Sequence, residues 1–240
     1  MQQDLTTSRM KGGDVTVQAW DVPTRLFHWT LVALILMAYV SRHWGDAGLV
    51  WHMWNGYAIL VLVVWRLLWG FVGSSTSRFR SFAYGPAAAI RYGLDFIAGR
   101  PRYFLGHNPL GGLVVFALLG LVGLIGALGL FAYDDHDALA GGPLSSRVSD
   151  AAWTFATHWH HELFDLLLVV IGMHVAASVL YLVWKGENLP RAMVTGVKPS
   201  RPYEDEAGAR RSGSWRALLC LGVAIIVVFG GIAAAGGKVL

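Results

Sequence analysis

Residues 50–72 read VWHMWNGYAILVLVVWRLLWGFV, and this run decides the fold. It carries His52 near its start and Arg66 near its end, with apolar or uncharged residues between. A helix needs roughly 20 mostly apolar residues to cross about 30 Å of hydrocarbon, and this run is long enough. Four others qualify: Leu26–Ser41, Leu110–Tyr133, Trp153–Trp184 and Ala217–Ala235. The first is short unless Arg25 and Arg42 snorkel at its ends, and the fourth is longer than a crossing needs. The composition agrees: 14% of residues are charged, against about 25% in soluble domains. The expected fold class is all-α integral membrane.

The basic residues set the expected orientation. Three Lys or Arg lie in the tail up to Arg25, five between Arg78 and Arg102, and seven between Lys185 and Arg216. The other side holds Arg42, Arg147 and Lys238 beside an acidic connection with Asp134, Asp135, Asp137 and Asp150. This alternation is the positive-inside pattern, with the amino terminus cytoplasmic and the carboxyl terminus periplasmic. The net charge of +4 thus reads as topology, and no nucleic-acid partner is expected. The first 25 residues do not read as a cleaved signal. The lone cysteine, Cys220, excludes an intrachain disulfide, and no C-x-x-C-H is present for covalent heme attachment.

The domain reading is a cytoplasmic tail over 1–16, a transmembrane domain over 17–185, a cytoplasmic linker over 186–215 and a C-terminal transmembrane helix over 216–240. Ala87–Ala98 is expected at the cytoplasmic interface. Asn108 suits the cap of the third span, with Pro109 in its first turn. Gly73 is expected as a C′ glycine after the second span. Gly120, Gly123, Gly126 and Gly129 mark the third span as a packing element, and the fifth span is expected to be peripheral.

The histidines carry the chemistry, because metal-binding groups inside membrane helices are functional candidates by default. His160 and His174 lie 14 residues apart in the fourth span. On an ideal helix they share a face to within about 40° and are separated by roughly 21 Å along the axis. His161 and His174 diverge by roughly 140°, which favours His160, with His161 as its substitute if the helix bends. His28 opens the first span at the depth of His174, and His52 opens the second at the depth of His160. The topology thus yields two pairs, His28–His174 and His52–His160, matched in depth. An electron-transfer heme takes two axial ligands of this kind, so two heme b groups are expected, held within a transmembrane helical domain with an additional C-terminal transmembrane helix beside it.

Gly56 lies one turn from His52 and offers room for a flat macrocycle, as Gly172 does near His174. Arg66 follows His52 by 14 residues, on the same face and at the depth of the inner heme. It reads either as a snorkelling residue or as the partner of a heme propionate. The blander reading applies to His43, His107, His136 and His158 as interfacial polar residues, and to Trp29, Trp51 and Trp54 as membrane-interface aromatics. Glu162 and Asp165 are expected on the external surface.

At these residues the chain resembles the bacterial cytochrome b561 and nickel–iron hydrogenase b-type cytochrome subunit family. The resemblance rests on Arg25-Leu-Phe-His28-Trp29, His52 with Asn55-Gly56-Tyr57, Arg66, Trp69-Gly70-Phe71 and Gly73. It continues through Arg78-Phe79, Phe82, Gly106-His-Asn-Pro-Leu-Gly111 and the paired histidines of the fourth span, covering about residues 17–185. It implies a four-helix bundle with two b hemes, ligated from the first, second and fourth spans.

It further implies the electron-transfer subunit of an oxidoreductase complex in the bacterial inner membrane, working between quinone and a periplasmic partner such as a hydrogenase, another dehydrogenase or a c-type cytochrome. The quinone site is expected near the inner heme. Two alternatives stand beside it. One, also drawn from the family, is a superoxide oxidase that reduces quinone. The other is a heme-free metal-binding membrane transporter using His158, His160 and His161, whose close imidazoles suit Zn²⁺ or Cu²⁺.

Overall fold

The computed structural model describes residues 15–100, 102–133, 141–205 and 212–239. Among these, seven α-helices follow the chain: α1 Val22–Ser41, α2 Gly45–Val72, α3 Pro86–Ile97, α4 Pro109–Gly129, α5 Asp150–Lys185, α6 Leu189–Thr195 and α7 Ser214–Ala234. Five of them, α1, α2, α4, α5 and α7, are long and apolar enough to cross a membrane. They are the five spans read from the sequence. Below, the near end of the bundle is where α1 begins, and the far end is where α2 begins.

Local chemistry sets the boundaries. The Asp21 carboxylate accepts the Thr24 N–H at 2.7 Å and opens α1, with Pro23 in its first turn. Asn108 opens α4 in the same way, accepting the Gly111 N–H at 2.8 Å ahead of Pro109. Gly186, at φ +62°, ends α5 in the left-handed conformation that glycine adopts freely. Gly73 has a different role from the expected one. Its φ is −68°, so no left-handed turn requires glycine there. A Cβ would instead meet the Trp69 carbonyl oxygen at 2.5 Å and its indole at 2.8 Å. Close approach, not handedness, fixes that residue.

The helices bury aromatic and aliphatic side chains between them and also leave many large apolar side chains on their outer faces, as a lipid surround allows. Phe71, Val183 and Ile226 are each more than 70% exposed. Gly126 of α4 lies where a Cβ would come within 2.8 Å of Leu60, so glycine lets α4 close on α2. The fifth span does lie outside the four-helix bundle. Cys220, Ala224, Val228 and Ile232 of α7 pack against Tyr57, Val61, Trp65 and Trp69 of α2, and the Trp65 indole N–H donates to the Ala217 carbonyl at 3.0 Å.

The segment expected to be linker is partly folded, and the chain just ahead of α1 packs with it. Strand β1 (Thr16–Gln18) pairs antiparallel with β2 (Val197–Pro199), Val17 opposite Lys198. Behind them Ala19, Trp20, Leu105, Ala192 and Tyr203 form a buried cluster. Lys198 is 3% exposed and meets Glu187 Oε1 and the Phe104 carbonyl, each at 2.9 Å. The Asp205 carboxylate accepts the Leu105 and Gly106 N–H groups at 2.5 and 2.8 Å. Periodicity did not show this layer because its elements are three to seven residues long. Residues 1–14, 134–140 and 206–211 lie outside the described residues, and with them most of the predicted tail and the acidic run Asp134–Asp137.

Candidate functional site

At the far end, His52 of α2 and His160 of α5 face each other with ring centroids 6.0 Å apart. Each ring is tied down through Nδ1, His52 to the Ala38 carbonyl of α1 at 3.0 Å and His160 to the Ile125 carbonyl of α4 at 2.9 Å. A carbonyl only accepts, so Nδ1 carries the hydrogen in each neutral ring and Nε2 keeps its lone pair. A metal–imidazole bond is about 2.0 Å. Two imidazoles sharing one metal therefore have centroids about 6 Å apart, the separation seen here. The rings open onto a cavity also lined by Gly56, Val122, Gly126 and Leu167. An ideal Cβ on Gly56 meets nothing within 4 Å, so the space beside it is open.

His161, by contrast, is exposed, while His160 is half-buried on the inner face of α5. Among the described residues no three His, Cys, Asp or Glu side chains converge as a metal cage. The cluster His158-Trp159-His160-His161 therefore divides, with one histidine turned inward to His52 and two outward. Glu162 and Asp165 are exposed, as expected.

At the near end His28 of α1 and His174 of α5 lie within electrostatic reach of one another. Both are half-buried, and His28 Nδ1 is enclosed with no hydrogen-bond partner. Arg66 of α2 is 3% exposed. Its guanidinium carbon stands 4.9 Å from the Phe79 ring centroid and 5.9 Å from that of Phe82, and its Nη1 has no partner. A buried guanidinium N–H with nothing to donate to calls for an anionic oxygen at that position.

His107, expected as an interfacial residue, belongs to this inner cluster. Its ring lies between Trp20 and Phe82, at centroid distances of 4.7 and 4.6 Å, and its buried Nδ1 has no partner. Burial first, then the nearby Arg66 and Lys198 cations, holds the imidazole down at about 3. The available signal was position: His107 directly precedes a capped helix start, which anchors it at the mouth of the bundle. His43 is exposed with Nδ1 on the Tyr39 carbonyl, as expected of an interfacial residue, and His136 lies outside the described residues.

The sequence profile of the prokaryotic cytochrome b561 family matches residues 19–196, a range that includes every histidine of the chain. Among curated relatives, a protein of Rhizobium leguminosarum bv. viciae named "Probable Ni/Fe-hydrogenase B-type cytochrome subunit" is 23% identical over 224 residues, covering 79% of this chain and 92% of that protein. "Probable Ni/Fe-hydrogenase 1 B-type cytochrome subunit" of Escherichia coli (strain K12) is 23% identical over 215 residues, covering 77% and 91%. The corresponding protein of Azotobacter vinelandii is 25% identical over 224 residues, covering 78% and 91%. Helix α7 begins after the profile match ends. This chain belongs to the prokaryotic cytochrome b561 family: it is a multi-pass inner-membrane b-type cytochrome that works in electron transfer.

Proposed function

We propose that the chain holds two b hemes and carries electrons between a periplasmic redox partner and the quinone pool, with its near end in the cytoplasm. The observation that supports this most is the His52–His160 pair, already spaced for one iron with both Nδ1 atoms tied to carbonyls. The ligands of the far heme are His52 and His160, with His161 left at the surface. The ligands of the near heme are His28 and His174. The residues fit the group: Gly56 leaves open space beside the far pair, and Arg66 supplies an unpartnered cation for a propionate beside the near one. Heme, when bound, supplies reversible one-electron transfer at iron. The chain supplies ligands, spacing and an apolar surround.

The basic residues of the near-end connections support the cytoplasmic placement. The names of the relatives favour a hydrogenase as the partner, and another dehydrogenase or a c-type cytochrome is the alternative. A second reading, oxidation of superoxide at the far end with quinone as acceptor, draws on Arg42, which lies within electrostatic reach of both His52 and His160.

Electron flow across vesicles tests the proposal. Quinol in the membrane of proteoliposomes should reduce external, impermeant ferricyanide through the protein, and His52→Ala should stop that flow. Flow that survives His52→Ala contradicts the assignment. Quinone reduction driven by superoxide alone would favour the second reading.

A further inference from the structure

Where α3 meets α5 at the near end, a buried polar cluster plays no part in holding heme. Tyr92 and Tyr181 are 2% and 9% exposed, with their hydroxyls 2.5 Å apart. Lys185 Nζ donates to the Tyr92 hydroxyl at 3.2 Å, and Asn108 Nδ2 donates to the Tyr181 hydroxyl at 2.8 Å. The amide is not free to turn over, because Asn108 Oδ1 is engaged by the Gly111 N–H at the start of α4. The Lys185 ammonium is framed by the rings of Tyr92, Phe96, Tyr103 and Tyr181 at 5.1–5.6 Å and also donates to the Arg102 carbonyl at 2.9 Å.

The hydrogens in this cluster do not balance within the protein. Each tyrosine brings one hydroxyl hydrogen, while an ammonium and an amide nitrogen only donate. The single Tyr92–Tyr181 bond uses one hydroxyl hydrogen, and the other has no acceptor among the described residues. Either hydroxyl can donate in that bond; in the arrangement that runs from Lys185 through Tyr92 to Tyr181, the spare hydrogen is that of Tyr181. A buried donor without an acceptor is costly and needs an explanation, such as a ligand oxygen. Tyr181 follows His174 by two turns, on the same face of α5 to within about 20° and about 10 Å closer to the near end. Lys185 is half-buried while both tyrosines are sealed, so the chain of donors runs from the solvent edge inward.

We propose that Lys185, Tyr92 and Tyr181 form a proton relay to a quinone, with the spare Tyr181 O–H donating to the quinone oxygen. This rests on the reading that quinone reacts at the near end. A quinone becomes a quinol by taking two electrons, supplied through the cytochrome, and two protons. One proton passes from the Tyr181 oxygen to the quinone oxygen it faces, and the opposite quinone oxygen takes the second from water. Tyr181 is reprotonated by Tyr92, Tyr92 by Lys185, and Lys185 by water. Quinol oxidation runs the same path in reverse.

The test uses the purified, heme-loaded full chain, with duroquinol as reductant and the heme α band followed by stopped flow in H₂O and D₂O. Tyr181→Phe and Tyr92→Phe should each slow heme reduction by about 10²-fold, the scale of a lost general acid–base group. Lys185→Gln should slow it as well. In all three, dithionite should reduce the hemes fully with an unchanged α band, which shows that the fold is intact. Tyr84→Phe, at the edge of the same apolar cluster, should keep the wild-type rate. Tyrosine variants that retain the wild-type rate and solvent isotope effect would overturn the relay while leaving quinone reactivity standing. A wild type that dithionite reduces and duroquinol does not would overturn the quinone reading, and the relay with it.

Discussion

The imidazole rings of His52 and His160 have their centroids 6.0 Å apart, and the carbonyls that fix them belong to Ala38 and Ile125. Those four residues come from α2, α5, α1 and α4 in turn. The site is thus defined by all four helices of the bundle, two presenting imidazoles and two orienting them. Such second partners fix tautomer and ring direction and tune the metal they serve.

Gly56 separates a packing role from a cofactor role. A Cβ there touches nothing within 4 Å, so Gly56→Leu should not destabilise the heme-free fold by overpacking. It would fill the space beside His52 that a macrocycle needs. The expected result is a folded protein whose heme content falls by about half under pyridine-hemochrome quantification, with ligation of the near heme unchanged. Full heme content in Gly56→Leu would place the macrocycle elsewhere.

The Lys198–Glu187 pair tests whether 186–205 is part of the folded domain. Both residues are buried, at 3% and 8% exposure. Removing one partner of a buried pair strands the other charge and costs about 3–5 kcal/mol, whereas replacing both with apolar residues is often neutral. Glu187→Leu alone should therefore lower the apparent Tm clearly, and Glu187→Leu with Lys198→Met should restore most of the loss. A flexible linker would show no change in either variant.

His107 gives the protein an acid sensitivity of known sign. The folded ring takes up a proton only at about pH 3, whereas an unfolded histidine does so near 6.5. Between those values the unfolded chain binds more protons, so stability is full above pH 6.5 and declines as pH falls through the window. At pH 5 the loss is of the order of 2 kcal/mol. His107→Phe should keep the aromatic contacts to Trp20 and Phe82 and lose less apparent Tm between pH 7 and pH 5 than wild type. Equal losses in the two proteins would count against this origin.

The long-range order was legible because membrane spans announce themselves by length and inward-facing histidines by helical period. All five spans lie where the apolar runs lie. His52 and His160 meet because the depth of each histidine in its helix is set by sequence position alone. What escaped was the near-end layer. Strands of three residues and a helix of seven carry no period to read, and their contacts, such as Asp205 on Leu105 and Gly106, join residues about a hundred positions apart. His107 was passed over because its place before the Asn108 cap shows where it sits but not that Trp20 and Phe82 fold over it. Tyr92 and Tyr181 were likewise invisible as a pair until α3 came to rest against α5.

The most direct test of the central claim is heme stoichiometry and α-band intensity by pyridine hemochrome in wild type and in His160→Ala, His161→Ala and His174→Ala. The account predicts two b hemes per chain in wild type and in His161→Ala, and one in each of the other two variants. A single heme in wild type, or a heme lost with His161 and kept without His160, would contradict it.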